Sequence, residues 1–309
     1  MTGLDAAITA GVRFLRHRLG TEAAGLWRDF ALPPVSTGST ECVSAFIAAQ
    51  LGPVPEGRGL ARQVVERLVA QARPTGGWGY REDVPEDCDS TAWVLLGAAA
   101  TGCGLPPGLA ERSLAYIAGH QRDGGGFVTY GPAAKAALTP ADQAGWFEPE
   151  VSVTSSAVLA LAAHGRAAGE ACRYIGRSAR DDLWESYWWN GFGYPTHLAL
   201  TALATQGRRR HEHRFTAARR AVLARLAGTP GNPFTTALAL RTLLLTGPPP
   251  AASVSYLIDV MSADTGAPAG AEMVAPGGFH GTDVVLPDNG NVTTASVVRA
   301  LHEARTGPA

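Results

Sequence analysis

Residues 76–102 read GGWGYREDVPEDCDSTAWVLLGAAATG. A glycine–aromatic turn, Gly76-Gly77-Trp78-Gly79-Tyr80, runs into an acidic loop that ends in Asp87-Cys88-Asp89-Ser90-Thr91-Ala92. The uncharged run that follows predicts a helix apolar on every side, which belongs in an interior. Asp89 or Ser90 is expected to cap that helix, because a short side-chain oxygen accepts from its first free N–H groups. Asp87 and Asp89 stand two residues apart, and carboxylates that close disfavour double ionisation. One of them is then expected to hold a proton near neutral pH, which is how a protein makes a buried acid.

The pattern recurs along the chain. Segments with a Ser, Thr, Asp or Asn start and a small apolar body lie at 39–51, 90–102, 152–165, 196–207, 235–247 and 291–307. Most stop at a glycine, as a helix C-terminus favours. Between them lie segments of a second kind, at 4–17, 59–71, 107–121, 167–180, 214–227 and 251–261, with polar residues on one face and apolar residues on the other. Glycine–aromatic loops join several pairs, including Gly125-Gly126-Phe127, Gly191-Phe192-Gly193-Tyr194, Gly231-Asn232-Pro233-Phe234 and Gly277-Gly278-Phe279. Glycine permits the tight turn and the aromatic side chain plugs it into the core. Six inner and six outer helices that alternate in this way predict an all-α fold, a single (α/α)6 toroid spanning residues 1–309. No strand-like alternation long enough for a sheet is expected. Three long loops, 19–38, 123–150 and 262–290, are expected to shape a site.

Composition narrows the function. The chain has 309 residues, 46% apolar and 17% charged, with a net charge of −1. That balance offers nothing to nucleic acid or to an anionic membrane surface. There is no apolar run of the length a membrane span needs, and residues 1–5 do not resemble a secretory leader. Stable membrane insertion is therefore not expected. Cys42, Cys88, Cys103 and Cys172 are widely spaced, as free thiols of a cytoplasmic protein are. No metal or cofactor is expected.

The glycine–aromatic loops, two of them preceded by Gln71 and Gln121, resemble the QW repeats of squalene-hopene and oxidosqualene cyclases. Asp87-Cys88-Asp89-Ser90-Thr91-Ala92 is similar to that family's acid box, DxDDTA. The resemblance implies Asp89 as the protonating residue and Asp87 as its partner; Ser90 departs from the family's third aspartate. Those cyclases have two α/α domains with the cavity between them, whereas this chain has helices for one. In that respect it looks like the single toroid of protein prenyltransferase β subunits. The zinc site of those proteins is not carried over, since Asp87-Cys88 has the wrong spacing. A homodimer or another partner is one way to cover the toroid's mouth.

The expected activity is a cyclase or isomerase of the class II terpene cyclase type. It protonates a small hydrophobic isoprenoid or polyene-like substrate from Asp89, in specialised biosynthesis. Two other readings stand beside it: a non-catalytic toroid that binds a lipid or a partner, and a protein prenyltransferase β-like subunit. Aromatic faces stabilise cations where water is excluded, so Trp78, Tyr80, Trp93, Trp146, Trp188, Trp189 and Phe279 are candidates for the substrate-binding wall. Glu150 and His197, near inner-helix starts, are placed at the same mouth; Glu41, Glu148 and Asp288 also fall at such starts, where the helix dipole favours anions. Asp181-Asp182-Leu183-Trp184-Glu185 has the outline of a magnesium motif but is taken as a solvated turn. Arg241 and Arg299, inside apolar inner helices, require a carboxylate partner.

Overall fold

The computed structural model describes residues 3–22, 24–33, 36–138, 145–227, 231–279 and 282–307. Outer and inner helices alternate: α1 (Gly3–Thr21) and α2 (Glu41–Leu51), α3 (Arg58–Ala70) and α4 (Cys88–Thr101), α5 (Leu109–Ala118) and α6 (Val151–Ala163). The second half continues with α7 (Gly169–Arg177) and α8 (Gly193–Ala204), α9 (Glu212–Leu226) and α10 (Pro233–Leu244), α11 (Ala251–Asp259) and α12 (Asn291–Thr306). Each even-numbered helix packs on the next, and α12 packs back on α2, so the inner ring closes. The expected six-plus-six toroid is the fold.

Small side chains explain the inner ring. Helices built from Ala, Leu, Val, Ser and Thr approach closely, and their hydroxyls need not seek water. Thr101, Ser155, Thr201, Thr242 and Ser296 each donate to the carbonyl four residues back, at 2.7–2.9 Å. A polar atom satisfied within its own helix can be buried against apolar neighbours.

The loops are locked by a repeated device. Trp27, Trp78 and Trp184 are fully buried plugs whose indole N–H groups donate to Leu15 O, Leu68 O and Ile175 O at 2.7–2.8 Å. Each acceptor lies on the outer helix just traversed. The plug's own backbone N–H then donates to a threonine on the next inner helix: Trp78 to Thr91, Phe127 to Thr154 and Trp184 to Thr196, at 2.9–3.1 Å. One side chain thus ties the outer helix, turn and inner helix together. Gly76 and Gly125 hold φ of +85° and +93°, and a Cβ on either would meet the next outer helix at 2.8 Å or less. Tyr194 and Phe234, expected as plugs, instead begin inner helices. Trp184 plugs that repeat, behind a tight turn at exposed Asp181 and Asp182.

The absence of sheet was the wrong expectation. Four antiparallel pairs form: β1 (Asp29–Leu32) with β2 (Ser36–Ser39), β3 (Trp78–Gly79) with β4 (Glu86–Asp87), β5 (Phe127–Val128) with β6 (Pro149–Glu150), and β7 (Glu272–Phe279) with β8 (Thr282–Pro287). Three of these pairs are short clasps. The fourth is longer: EMVAPGGF and TDVVLP are two strand-forming runs that pair antiparallel.

Toward the C-terminal ends of the inner helices the ring is held by charge. Glu303 accepts two bonds from Arg241, at 2.9 and 3.1 Å, and one from Arg299 at 2.6 Å; Arg241 also reaches Gln50 at 2.8 Å. This is the carboxylate partner both arginines require. Burial pushes the Glu303 carboxyl up, but the two arginines outweigh it and hold it at about 2. Removing one partner leaves a buried charge unpaired, so Glu303→Gln should destabilise the fold by roughly 3–5 kcal/mol in urea or thermal unfolding. In the unaltered protein this contribution is full above the ordinary glutamate value of 4.5 and fades as pH falls toward 2.

Candidate active site

The acid box is built by β4 and the start of α4. Asp87, not Asp89 or Ser90, is the N-cap. Its Oδ1 accepts from Ser90 N at 2.7 Å and its Oδ2 from Ser90 Oγ at 2.6 Å. Thr91 Oγ1 donates to Asp87 O at 2.7 Å, which leaves its lone pairs to receive Trp78 N. The box is therefore a structural unit before it is a chemical one, and Ser90 has a definite task in it. Both of its donors favour an ionised Asp87.

Asp89 lies inside the first turn and is half-buried, with its carboxyl on a cavity of about 260 Å³. Its Oδ1 takes the Ser156 hydroxyl from α6 at 2.5 Å. Burial pushes its pKa up to about 8; the charges of Asp87 and Glu150 add to this, and hydrogen bonds from Ser156 and Trp93 oppose it. Asp87 is pushed to about 7, mainly by burial, with Ser90 pulling it down and Glu41 pushing it up. A charge on Asp87 opposes ionisation of Asp89. At neutral pH the arrangement holds a proton on Asp89, because it is the carboxyl with fewer donors and a second charge beside it.

The rest of the cavity is mostly apolar and aromatic. Tyr80, Tyr130, Trp146, Trp188 and Trp189 line it, as do Cys42 and Val153 from inner helices. Trp188 is fixed by its indole N–H, which donates to Thr129 Oγ1 at 2.8 Å, and it lies 5.3 Å from Trp146 between ring centroids. Trp189 stacks on Tyr194 at 4.2 Å and meets Phe30 edge-on at 5.5 Å. Two adjacent tryptophans both reach the cavity because their backbone is extended and zipped to β7. Val274 N donates to Trp188 O at 2.8 Å, and Asn190 N to Glu272 O at 3.0 Å. Met273, Val274, Ala275 and Leu286 of the hairpin form the facing wall. Arg81 and Ser36 stand among the lining residues; Arg81 is half-buried and paired with exposed Asp83 at 2.5 Å.

Six expected site residues line this cavity: Asp87, Asp89, Tyr80, Trp146, Trp188 and Trp189. Others do not. Trp78 is the fully buried plug, its indole N–H spent on Leu68. Trp93 packs edge-on against Phe46 at 4.8 Å, one turn on from Asp89; it touches the acid's environment without lining the cavity. Glu150 caps α6, accepting from Ser152 N at 2.7 Å and Val153 N at 2.9 Å. It opens onto a neighbouring crevice. His197 is buried away from the mouth, where burial and then Arg241 drive its pKa well below 6.5 and keep it neutral. Phe279 ends β7, and its side chain lies outside the described residues. Glu41 and Asp288 are also spent on structure: Glu41 accepts from Gly79 N and Arg73, and Asp288 from Thr293 N, each at 2.8–2.9 Å. Among the described residues no three His, Cys, Asp or Glu side chains converge to hold a metal ion.

Sequence reasoning missed Ser156, Cys42, Thr129 and the hairpin residues. Ser156 had one signal, the polar cluster SVTSS inside an otherwise apolar inner helix. The hairpin had another, two runs of Val and Leu flanking Gly277-Gly278.

No protein-family model matches the chain. Over 67 residues it is 34% identical to drimenyl diphosphate synthase of Streptomyces showdoensis, a match that covers 22% of this chain and only 13% of that protein. The type II terpene cyclase MstE from Scytonema superposes with a TM-score of 0.84 at 25% identity, over 99% of each chain. A variant of MstE in complex with its substrate, geranylgeranyl dihydroxybenzoate, superposes with a TM-score of 0.85 at 25% identity, over 98% of this chain and 97% of that one. A protein from Actinoplanes of known crystal structure is 29% identical over 98% of this chain and 99% of its own, with a TM-score of 0.82. With an acid box facing an aromatic cavity inside the same ring of helices, this chain is similar in structure to the type II terpene cyclases.

Proposed function

We propose that the protein is an enzyme, a type II terpene cyclase that protonates a linear isoprenoid from Asp89. The observation that carries this reading is the Asp89 carboxyl facing a cavity walled by aromatic rings. Asp89 gives its proton to an alkene or epoxide at the far end of the chain. The new positive charge is then met by the faces of Trp146, Trp188, Trp189 and Tyr130 instead of water. Ring closure moves the charge inward until a proton is lost or water is captured. Asp89, left as a carboxylate, is steadied by the hydroxyl of Ser156, and Trp93 favours the same charged form. Residues 1–309 act as one domain, and the hairpin β7–β8 walls one side of the cavity.

The substrate is an isoprenoid chain with an acidic head. Arg81 at the cavity's edge suits such a head, and the diphosphate of drimenyl diphosphate and the acid of geranylgeranyl dihydroxybenzoate, the compounds named for two of the similar proteins, are heads of that kind. The preparative test is incubation in D2O with farnesyl diphosphate, geranylgeranyl diphosphate and geranylgeranyl dihydroxybenzoate. The expected result is a cyclic product that keeps its head group and gains one deuterium at the protonated carbon.

Asp89→Asn should lower turnover by about 10²–10⁴-fold while folding normally; wild-type turnover in that variant would remove the acid assignment. The same variant should unfold at a higher temperature than the unaltered protein near pH 8. A buried aspartate whose pKa is raised from 3.8 to about 8 makes folding less favourable as pH climbs through that window. Activity should fall as pH rises through about 8, where Asp89 loses its proton. Asp87→Asn keeps the cap but deletes a negative charge, so the falling limb of the pH profile should move to lower pH.

A further inference from the structure

Each turnover strips Asp89 of its proton, and on the cyclase reading the next turnover needs it back. The main cavity is a poor path for the return. Its walls are aromatic and aliphatic, and substrate or product fills it during the cycle. A second opening exists on the other side of α6. A polar crevice of about 420 Å³, lined by Glu150, Ser186, Tyr187 and Arg177, reaches solvent there. From its floor a line of hydroxyl and carboxyl groups runs inward. Ser186 Oγ lies 2.6 Å from Ser152 Oγ, and Ser152 Oγ lies 3.0 Å from Glu150 Oε1. Ser156 stands four residues beyond Ser152 on the same helix, so the two share one face with about 5–6 Å between their Cβ atoms. The relay needs one water to span a gap of that size. Ser156 Oγ then meets Asp89 Oδ1 at 2.5 Å.

We propose that Asp89 regains its proton through α6, along Ser186, Ser152, Glu150 and Ser156, from solvent in the crevice outside the cavity. The hydroxyls suit this. Ser156 has two acceptors in reach, Asp89 Oδ1 and Val153 O at 3.0 Å, but one hydrogen. It can hand that hydrogen to Asp89 and take another from behind. The balance is simple. One proton enters from solvent at Ser186, each hydroxyl passes one O–H hydrogen on and receives one, and Glu150 ends as it began. One proton arrives on the Asp89 carboxylate. The proton released when the cation is quenched returns to solvent, so the cycle is neutral overall. Glu150 does two jobs here: it caps α6, and burial pushes its carboxyl above the ordinary glutamate range, which brings it closer to the acid it serves. None of the upstream residues lines the main cavity; they are positioning residues for the proton.

The test is Ser152→Ala, which breaks the line without touching Asp89. With enzyme in excess, its first turnover should run within about twofold of the unaltered protein, because the first proton is already in place. Under multiple turnover, kcat should drop by about tenfold or more, leaving a burst of one product per active site. Ser152→Thr restores the hydroxyl and should restore kcat. If single- and multiple-turnover rates fall together, or if neither falls, the relay is wrong. A second measurement needs no turnover. With the cavity plugged by a saturated C15 alcohol, the infrared band of protonated Asp89, identified by its loss in Asp89→Asn, shifts on transfer to D2O. Ser152→Ala should slow that shift by about tenfold, and equal rates overturn the relay even where no tested isoprenoid is cyclised.

Discussion

The structure depends on how the inner helices begin. Their N-termini lie inside the protein, where each free N–H group must find an acceptor or cost free energy. Acidic side chains meet that demand around the ring. Asp87 accepts from Ser90 N, Glu150 from Ser152 N and Val153 N, Asp288 from Thr293 N and Asp29 from Val292 N. Several negative groups are thereby gathered in low dielectric. Any further carboxyl placed among them ionises only at high cost. Asp89 is that further carboxyl. Its raised pKa comes first from burial, and the capping acids Asp87 and Glu150 add to it.

Position separates the structural acids from the chemical one. Asp87 and Glu150 occupy equivalent places, each paired across a short clasp, with Trp78 and Phe127 respectively. Their oxygens are taken by N–H and O–H donors of their own helix, with Tyr187 N adding one to Glu150. Asp89 is two residues further on, where its helix offers it no cap position. It receives the Ser156 hydroxyl from the neighbouring inner helix and opens onto the cavity. A donor that comes from another helix stabilises the carboxylate after proton transfer without locking it beforehand.

The cavity's wall is a second consequence of backbone pairing. Residues 188–190 are held extended by β7, and that extension turns two consecutive tryptophans toward the cavity and its rim. The hairpin that pins them is also the opposite wall. Rigid aromatic faces around a dry space are what a migrating positive charge requires, and here both faces are set by one strand. The far end of the ring is closed by Arg241 and Arg299, which share the carboxylate of Glu303.

Much of this was legible in the residues alone. Repeats such as WVLLGAAA and AVLALAA demand burial on all sides, and alternating amphipathic segments demand an outer layer, so the toroid follows from periodicity. The spacing of Asp87 and Asp89 already implied one proton between two carboxyls, and Arg241 and Arg299 already implied a buried acid. Spacing could not say which residue caps α4, because Asp87, Asp89 and Ser90 are all competent caps and only the backbone's entry angle chooses. Nor could it separate Trp78 from Trp188, since both follow turns and only the plug's bond to Leu68 removes the first from the cavity. The reach of Ser156 to Asp89, across 67 positions, and the pinning of Trp188 by Val274, 86 residues further on, are contacts between distant segments. Local chemistry determined the elements and the acid; only the closure of the ring decided what that acid faces, because neighbours in space are set by packing and not by order along the chain.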